Sequence, residues 1–320
     1  MCAVISIDKY RNMLLTVFTP VYNRADLIRR TYQSLLRQTD KDFEWLVVND
    51  GSTDDGATDA ALDDIVVNHD GSFPIVVVRQ ENGGKHRAVN RGVRMARAPW
   101  FIILDSDDIL ADDAVATVRR RTDEIKDRPD MMGFVGRKIT FDGKDSGEKF
   151  VGGASKRQLD CDHLDTTVDY YRNTLKIMGD RAEVYRTDIM RRFPFPEIEG
   201  EKFISEGVVW MPMGREYKAR FTNDPIYICE YQPDGLSMRI RKLLNDNPVG
   251  ATIAAAMTLE YSSLSSRDKL LYVCRWLKRR RRAIEIGRTL PPEAALPGSA
   301  RKWLLPAKMI IFVAKFLGRK

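Results

Sequence analysis

Histidine is scarce in this 320-residue chain. His69, His86 and His163 lie far apart, which argues against a zinc centre built on several histidines. Cysteine is scarce too. Cys2, Cys161, Cys229 and Cys274 contain no CxxC pair, and a chain this long needs no disulfide scaffold, so reduced thiols in a cytosolic compartment are expected. No run of about 18 uncharged apolar residues occurs, which predicts no membrane span. The opening MCAVISIDKYRNMLL carries Asp8 and Lys9 inside any would-be apolar core, so no signal peptide is expected. Two nucleotide signatures are missing as well. No G-x-G-x-x-G follows the first apolar strand, and Gly143-Lys144 is preceded by Lys138, not Gly, at the P-loop position.

What is present is a soluble, globular composition, enough for one large core or two smaller ones. The charge is uneven. From Arg267 onward, 15 Lys and Arg face only Asp268, Glu285 and Glu293, a net +12; the whole chain carries +7, so the first 266 residues carry −5. The basicity belongs to the tail. That argues against a nucleic-acid-binding body and points to an anionic surface met by the C-terminal stretch.

The first hundred residues alternate strand and helix. MLLTVFT (13–19), FEWLVVN (43–49), FPIVVVR (73–79) and WFIIL (100–104) read as buried strands. Between them, Ile28, Tyr32, Leu35 and Leu36, then Ala57, Ala61, Leu62, Ile65 and Val66, then Ala88, Val89, Gly92, Val93 and Ala96 fall at helical spacing. Single helices between strands imply right-handed crossovers and a parallel α/β sheet, with ligands bound beyond the strands' carboxyl ends. The loops after Thr19, at Asp50 and at Asp105 should therefore converge.

FIILDSDDIL (101–110) crowds Asp105, Asp107 and Asp108 directly after an apolar strand. Like charges so placed are unfavourable without a cation. The Asp105–Asp107 DxD pair offers hard oxygens suited to magnesium or manganese, completed by substrate phosphates. A solvated turn with a helix N-cap is the plain alternative. A phosphohydrolase with Asp105 as nucleophile is another, although such enzymes carry Thr or Val where this chain has Ile109 and place the motif on the first strand.

Four segments in order, TVFTPVYNRADLI, FEWLVVNDGSTDD, ENGGKHRAVNRGVRMA and WFIILDSDDIL, resemble glycosyltransferase family 2, the inverting enzymes with a GT-A fold. The resemblance covers 13 to about 110 strongly and continues loosely to YICEYQPDGLS near 237. It implies a Rossmann-like, mostly parallel sheet flanked by helices. It also implies a nucleotide diphosphate sugar donor, UDP-linked for preference, and a divalent metal, Mn2+ or Mg2+. On the donor side it implicates Thr19, Pro20, Tyr22, Asp50, Lys85, Asp105 and Ser106. Pro20 and Tyr22 would line the base, Asp50 would accept from it, Lys85 would lie near the nucleotide, and Asp105 near ribose and metal. Asp107 would ligate the metal.

In the family an acidic residue of the second half, often in a Glu-Asp pair, is the general base. FISEGVVW offers Glu206, followed by Gly207 where the Asp would stand; Glu199 and Glu201 compete. A carboxylate at Glu206 would also suit the first turn of a helix. Asp180 in GDRAEVYRTD would lie on the acceptor side. The processive synthases' QxxRW motif is absent, so addition of one sugar to a glycan or lipid-linked acceptor of polysaccharide biosynthesis is expected. A non-catalytic nucleotide-sugar-binding protein is the remaining alternative.

The expected organisation is a GT-A domain over 1–241, with a donor half (13–110) and an acceptor half (131–240), and a helical, basic C-terminal extension. The extension divides into helices at 242–289, a Pro-rich linker at 290–298 and an amphipathic basic helix at 299–320. At about 100° per residue, Arg301, Lys308, Lys315 and Arg319 fall within roughly 40° of one another. That stripe suggests peripheral attachment to the anionic inner face of a membrane; docking on protein is the alternative.

Overall fold

The computed structural model describes residues 13–146, 158–177, 179–230, 232, 235, 238–261 and 263–317. Cys2, the Gly152–Gly153 loop, most of QPDGLS, Arg319 and the side chain of Lys315 lie outside the described residues. The chain divides into two compact units, residues 1–194 with 213–232, and residues 195–212 with 233–320.

The first unit is built on one mixed sheet. Its opening half runs β1 (Leu15–Val21), α1 (Ala25–Leu36), β2 (Phe43–Asn49), α2 (Ala57–Val67), β3 (Ile75–Arg79), α3 (Lys85–Met95) and β4 (Trp100–Ile103). These are the expected elements, and β3, β2, β1 and β4 pair in that order, all parallel. The order reverses at β1, which has β2 on one side and β4 on the other. Beyond β4 come β5 (Ile109–Leu110), α4 (Ala114–Asp123), β6 (Met131–Thr140), β7 (His163–Thr166), β8 (Arg181–Arg186), α5 (Thr187–Arg192) and β9 (Lys218–Cys229). They extend the sheet as β4-β8-β6-β9-β5, with β7 also on β9. Here the expectation of a mostly parallel sheet needs amending. β8 runs antiparallel to both β4 and β6, and β5 and β7 run antiparallel to β9.

Both faces of the sheet are covered, as the continuous apolar runs required. Leu15, Val17 and Val21 pack with Ile28, Tyr32 and Leu35 of α1 and with Leu62 and Ile65 of α2. On the other face Phe18 stacks on Phe101 at 5.4 Å between centroids. There α3 comes so close that a Cβ at Gly92 would lie 2.3 Å from the Phe18 ring, so the glycine is a packing requirement.

The second unit is helical. It holds Glu206 and the start of α6 (Gly207–Glu216), then α7 (Ile240–Asp246), α8 (Pro248–Thr258), α9 (Ser266–Glu285) and α10 (Leu304–Leu317). Residues 195–212, expected in the acceptor half of one domain, group with these helices instead. Glu201 is one tie between this stretch and α8. It is fully buried, and its two carboxylate oxygens accept from Val249 N at 2.6 Å and Gly250 N at 2.7 Å, closing the N terminus of α8.

The stretch expected as a linker is also packed. Ala294 is buried, and its carbonyl accepts the Trp276 indole N–H at 2.8 Å. Ala300 and Ala307 join Leu259 and Val273 in a small core, so α10 is seated on α9 by one side. Proline here shapes a tight path and does not free a tether. Among the described residues no helix is long and apolar enough to cross a membrane.

Glu201→Gln leaves one of the two α8 amides without its carboxylate oxygen. We expect a loss of about 1–3 kcal/mol in urea unfolding; an unchanged midpoint would show that the cap is dispensable.

Candidate active site

Hydrogen bonds bring the loops at the carboxyl ends of β1, β2, β3 and β4 together. Asp50 N donates to Val21 O (2.9 Å) and Leu104 N to Phe18 O (2.8 Å). The exposed Tyr22 meets Thr53 across the β1–β2 edge, hydroxyl to hydroxyl at 3.2 Å. This is the crevice beside the reversal of strand order, where open α/β sheets bind ligands.

Asp50 is buried and organises the neighbouring loop. Its carboxylate accepts from Gln80 Nε2 (2.8 Å), Gly83 N (2.9 Å) and Gly84 N (2.7 Å), while Asn82 Nδ2 donates to its carbonyl (2.9 Å). Gly51 beside it has φ +66°, and a Cβ there would stand 2.6 Å from Asn82 N, so only glycine fits. The arrangement fixes Gly84 at the head of α3 and delivers Lys85, whose Nζ lies 2.6 Å from Asp105 Oδ1.

The other expected donor-side residues divide. Pro20 is half-buried at the end of β1, opposite Val48. Thr19 is fully buried, and its hydroxyl accepts the Trp45 indole N–H at 2.9 Å, so its side chain belongs to the core. Ser106 is buried too, with its carbonyl accepting from Thr31 Oγ1.

The three carboxylates after β4 have different fates. Asp105 is drawn upward by burial, but Lys85 and Lys138 outweigh that and hold it below the ordinary carboxylate value. Asp108 is buried; its Oδ2 lies 2.9 Å from Lys138 Nζ, and its Oδ1 accepts Glu230 N at 3.2 Å. Burial raises the pKa of Asp108 in spite of Lys138, and Asp107 too moves opposite to Asp105. Burial first, then the negative charges of Asp105 and Asp108, push its pKa up to about 6, and Arg24 offsets this only in part. Among the described residues no cationic side chain forms an ion pair with it.

Lys138 and Tyr227 escaped the sequence reading. They face each other on β6 and β9, with Lys138 Nζ 4.2 Å from the centre of the Tyr227 ring. Tyr227 Oη accepts Asp105 N at 2.9 Å, which ties the acidic loop to the sheet behind it. Arg30 on α1 adds a third hold, donating to the Asp107 carbonyl and pairing with Glu230 at 2.6 Å. A lysine inside the apolar strand GFVGRKITF was the available signal for Lys138. Asp180 precedes β8, which starts where β4 ends; it is exposed and accepts from Ser146 Oγ at 3.2 Å.

Residues 16–146 match Glycosyl transferase family 2. The chain carries a glycosyltransferase family 2 domain. Glycosyltransferase GlyG of Streptococcus pneumoniae serotype 4 is 31% identical over 112 residues, 35% of this chain and 36% of GlyG. Chondroitin synthase of Escherichia coli is 38% identical over 103 residues, 32% of this chain and 14% of the synthase. The chain thus spans well under half the length of these curated relatives. Among solved structures, S. aureus TarS 1–349 in complex with UDP has a TM-score of 0.56 at 19% identity, over 87% of this chain and 76% of that one. Mannosyltransferase PcManGT of Pyrobaculum calidifontis, in complex with GDP-Man and Mn2+, has 0.54 at 17%, over 95% and 86%. At such identities the likeness concerns the fold. It is a mixed α/β sheet with flanking helices, similar to these glycosyltransferase structures.

Among the described residues no cluster of three or more His, Cys, Asp and Glu forms an all-protein metal site. The family 2 acidic loop nevertheless fits a divalent cation. Asp107 is a carboxylate whose charge the fold opposes and does not pair, with Asp105 two residues away, and one or two carboxylates plus substrate phosphates suffice for magnesium-type coordination.

A raised folded pKa has a defined sign. The stability linked to the Asp107 proton is complete below its ordinary value of 3.8 and is lost as pH rises through about 6. Asp107→Asn has no such proton to lose. Without metal, the variant should exceed wild type by roughly 1–3 kcal/mol above pH ~7, with the gap closing toward pH ~4. Urea unfolding against pH measures this, and a variant weaker than wild type at neutral pH contradicts it. Lys138→Met should do the reverse. It strands buried Asp108 and should cost about 3–5 kcal/mol, with no comparable loss in Lys138→Met/Asp108→Leu.

Proposed function

We propose that the protein is a metal-dependent inverting glycosyltransferase. It would move one sugar from a nucleotide diphosphate donor, a UDP-sugar for preference, to a glycan or lipid-linked acceptor at the inner, anionic face of a membrane. The observation that carries the reading is the disfavoured charge of Asp107, which pairs with no cation among the described residues, beside the Lys85–Asp105 pair at the crevice of a family 2 domain. The nucleotide complexes of TarS and PcManGT support the donor class, and the latter's Mn2+ supports a divalent metal.

In this reading Pro20 and Tyr22 flank the base, Asp50 keeps the Gly83–Gly84 loop closed and accepts from the base, and Lys85 meets the diphosphate. Asp107, with Asp105, would hold Mn2+ or Mg2+, which when bound stabilises the charge of the departing diphosphate. Glu206 takes the proton from the acceptor hydroxyl as it attacks. Two facts favour Glu206. It stands half-buried at the head of α6, and its competitor Glu201 has both oxygens engaged in capping α8. Asp180 would contact the acceptor. Asp105 makes a poor phosphohydrolase nucleophile, since its oxygen is already held by Lys85.

Glu206→Gln should bind UDP with manganese as wild type does and lose about 10²–10⁴-fold in transfer. Calorimetry with UDP and Mn2+, then assays of acceptor-dependent UDP release from a panel of UDP-sugars, read the two quantities separately. Normal turnover in Glu206→Gln removes it as the base. If wild type fails to bind any nucleotide diphosphate with Mn2+, the donor reading falls.

A further inference from the structure

α10 is apolar around most of its circumference, yet among the described residues only one side is covered. Ala307 is buried, and Trp303 and Leu304 pack with it on Val273, Leu270 and Leu277 of α9. On the far side Leu305 is 69% exposed, Met309 61%, Phe312 72% and Val313 51%. At about 100° per residue, Leu305, Met309 and Phe312 fall within about 60° of one another and roughly opposite Ala307. An all-round apolar helix is normally buried, and a contiguous apolar patch marks an interaction surface where scattered exposed residues do not. Of the expected basic stripe, Arg301 and Lys308 are exposed, while Arg319 and the side chain of Lys315 lie outside the described residues. The outward arc of α10 is apolar, and Lys308 stands at its flank.

Cations stand on α9, the helix that seats α10, and at the flank of the arc in Lys308. Lys278 and Arg281 are exposed on α9, one turn beyond Cys274 and Leu277, which face α10, and Arg281 pairs with Glu285 at 2.6 Å on the same helix. Arg279 has its pKa lowered by burial and by Arg275, a sign that positive charge is crowded there. A second copy of the chain is a poor occupant, because pairing this face with itself would oppose two stretches of net +12. An anionic surface with an apolar interior complements both features.

We propose that the outer face of α10 is a lipid-docking face: Leu305, Met309, Phe312 and Val313 enter the interfacial region of an anionic leaflet, and Lys278, Arg281 and Lys308 meet the lipid phosphates. This gives the membrane part of the proposed function a surface, and it is independent of the donor chemistry. The seat on α9 also makes removal of 299–320 an unsuitable test, since it would uncover Leu259 and Val273.

Point substitutions on the outer face avoid that. Full-length protein is sedimented with vesicles of phosphatidylcholine, with and without phosphatidylglycerol. Wild type should bind only the anionic vesicles, less as salt rises. Met309→Asp/Phe312→Asp should weaken binding at least tenfold or so, with wild-type melting and Mn2+–UDP affinity. Lys278→Glu/Arg281→Glu should abolish the preference for phosphatidylglycerol. Wild type that ignores anionic vesicles, or Met309→Asp/Phe312→Asp that binds like wild type, overturns the proposal. So does light scattering that shows a wild-type dimer turned to monomer by Met309→Asp/Phe312→Asp. Lost UDP binding with intact lipid binding would instead sink the donor reading alone.

Discussion

Three carboxylates within four residues at the end of a buried strand cannot all be ionised without compensation, and the site follows from how that repulsion is distributed. Two are answered by lysines from different directions. Lys85 reaches Asp105 from the head of α3, and Lys138 reaches Asp108 from inside β6. Among the described residues Asp107 has no such cationic partner, and its pKa is pushed up to about 6; burial also raises that of Asp108 in spite of Lys138. Each answer has its own support. Lys85 is where it is because Asp50 closes the Gly83–Gly84 loop, and Lys138 is shielded by the face of Tyr227, whose hydroxyl also holds the Asp105 amide.

That division explains why the mixed half of the sheet matters. A purely parallel half-domain of β3, β2, β1 and β4 would present the acidic loop to solvent on its far side. Adding β8, β6 and β9 beside β4 puts Lys138 and Tyr227 behind the loop and brings Asp180 to the same edge. In the low dielectric of that interior an ion pair holds its geometry more firmly than at the surface, and an unpaired charge there is correspondingly costly. The same environment that orders Asp108 raises the pKa of Asp107.

The donor half was legible because its signals are local. Period-3.6 stretches between apolar strands specify crossovers, and Gly51 and Gly84 stand at positive φ, where glycine is favoured. Hence β1 to β4, their parallel order and the meeting of the loops at Tyr22, Asp50 and Asp105 could be anticipated. What could not be read was contributed across distance. Thr19 looks like a site residue by position, but Trp45 on the next strand turns its hydroxyl inward. Lys138 and Tyr227 pair through a register no local pattern encodes. Glu201 resembles a general base until α8, nearly fifty residues on, claims both its oxygens. The proline-rich 290–298 stretch looks like a tether until Trp276 binds the Ala294 carbonyl.

The Glu201 case bears on how catalytic carboxylates are told from structural ones. Both kinds sit near helix N-termini, where the dipole favours negative charge, and both are partly buried. The distinction lies in the remaining lone pairs. A carboxylate with each oxygen bound to a backbone amide at 2.6–2.7 Å is committed to the fold, and protonation would break what it holds. A base must accept a proton and release it while its surroundings stay put, so it cannot also be the cap on which another helix depends. By that criterion Glu201 belongs to the stability of the second unit.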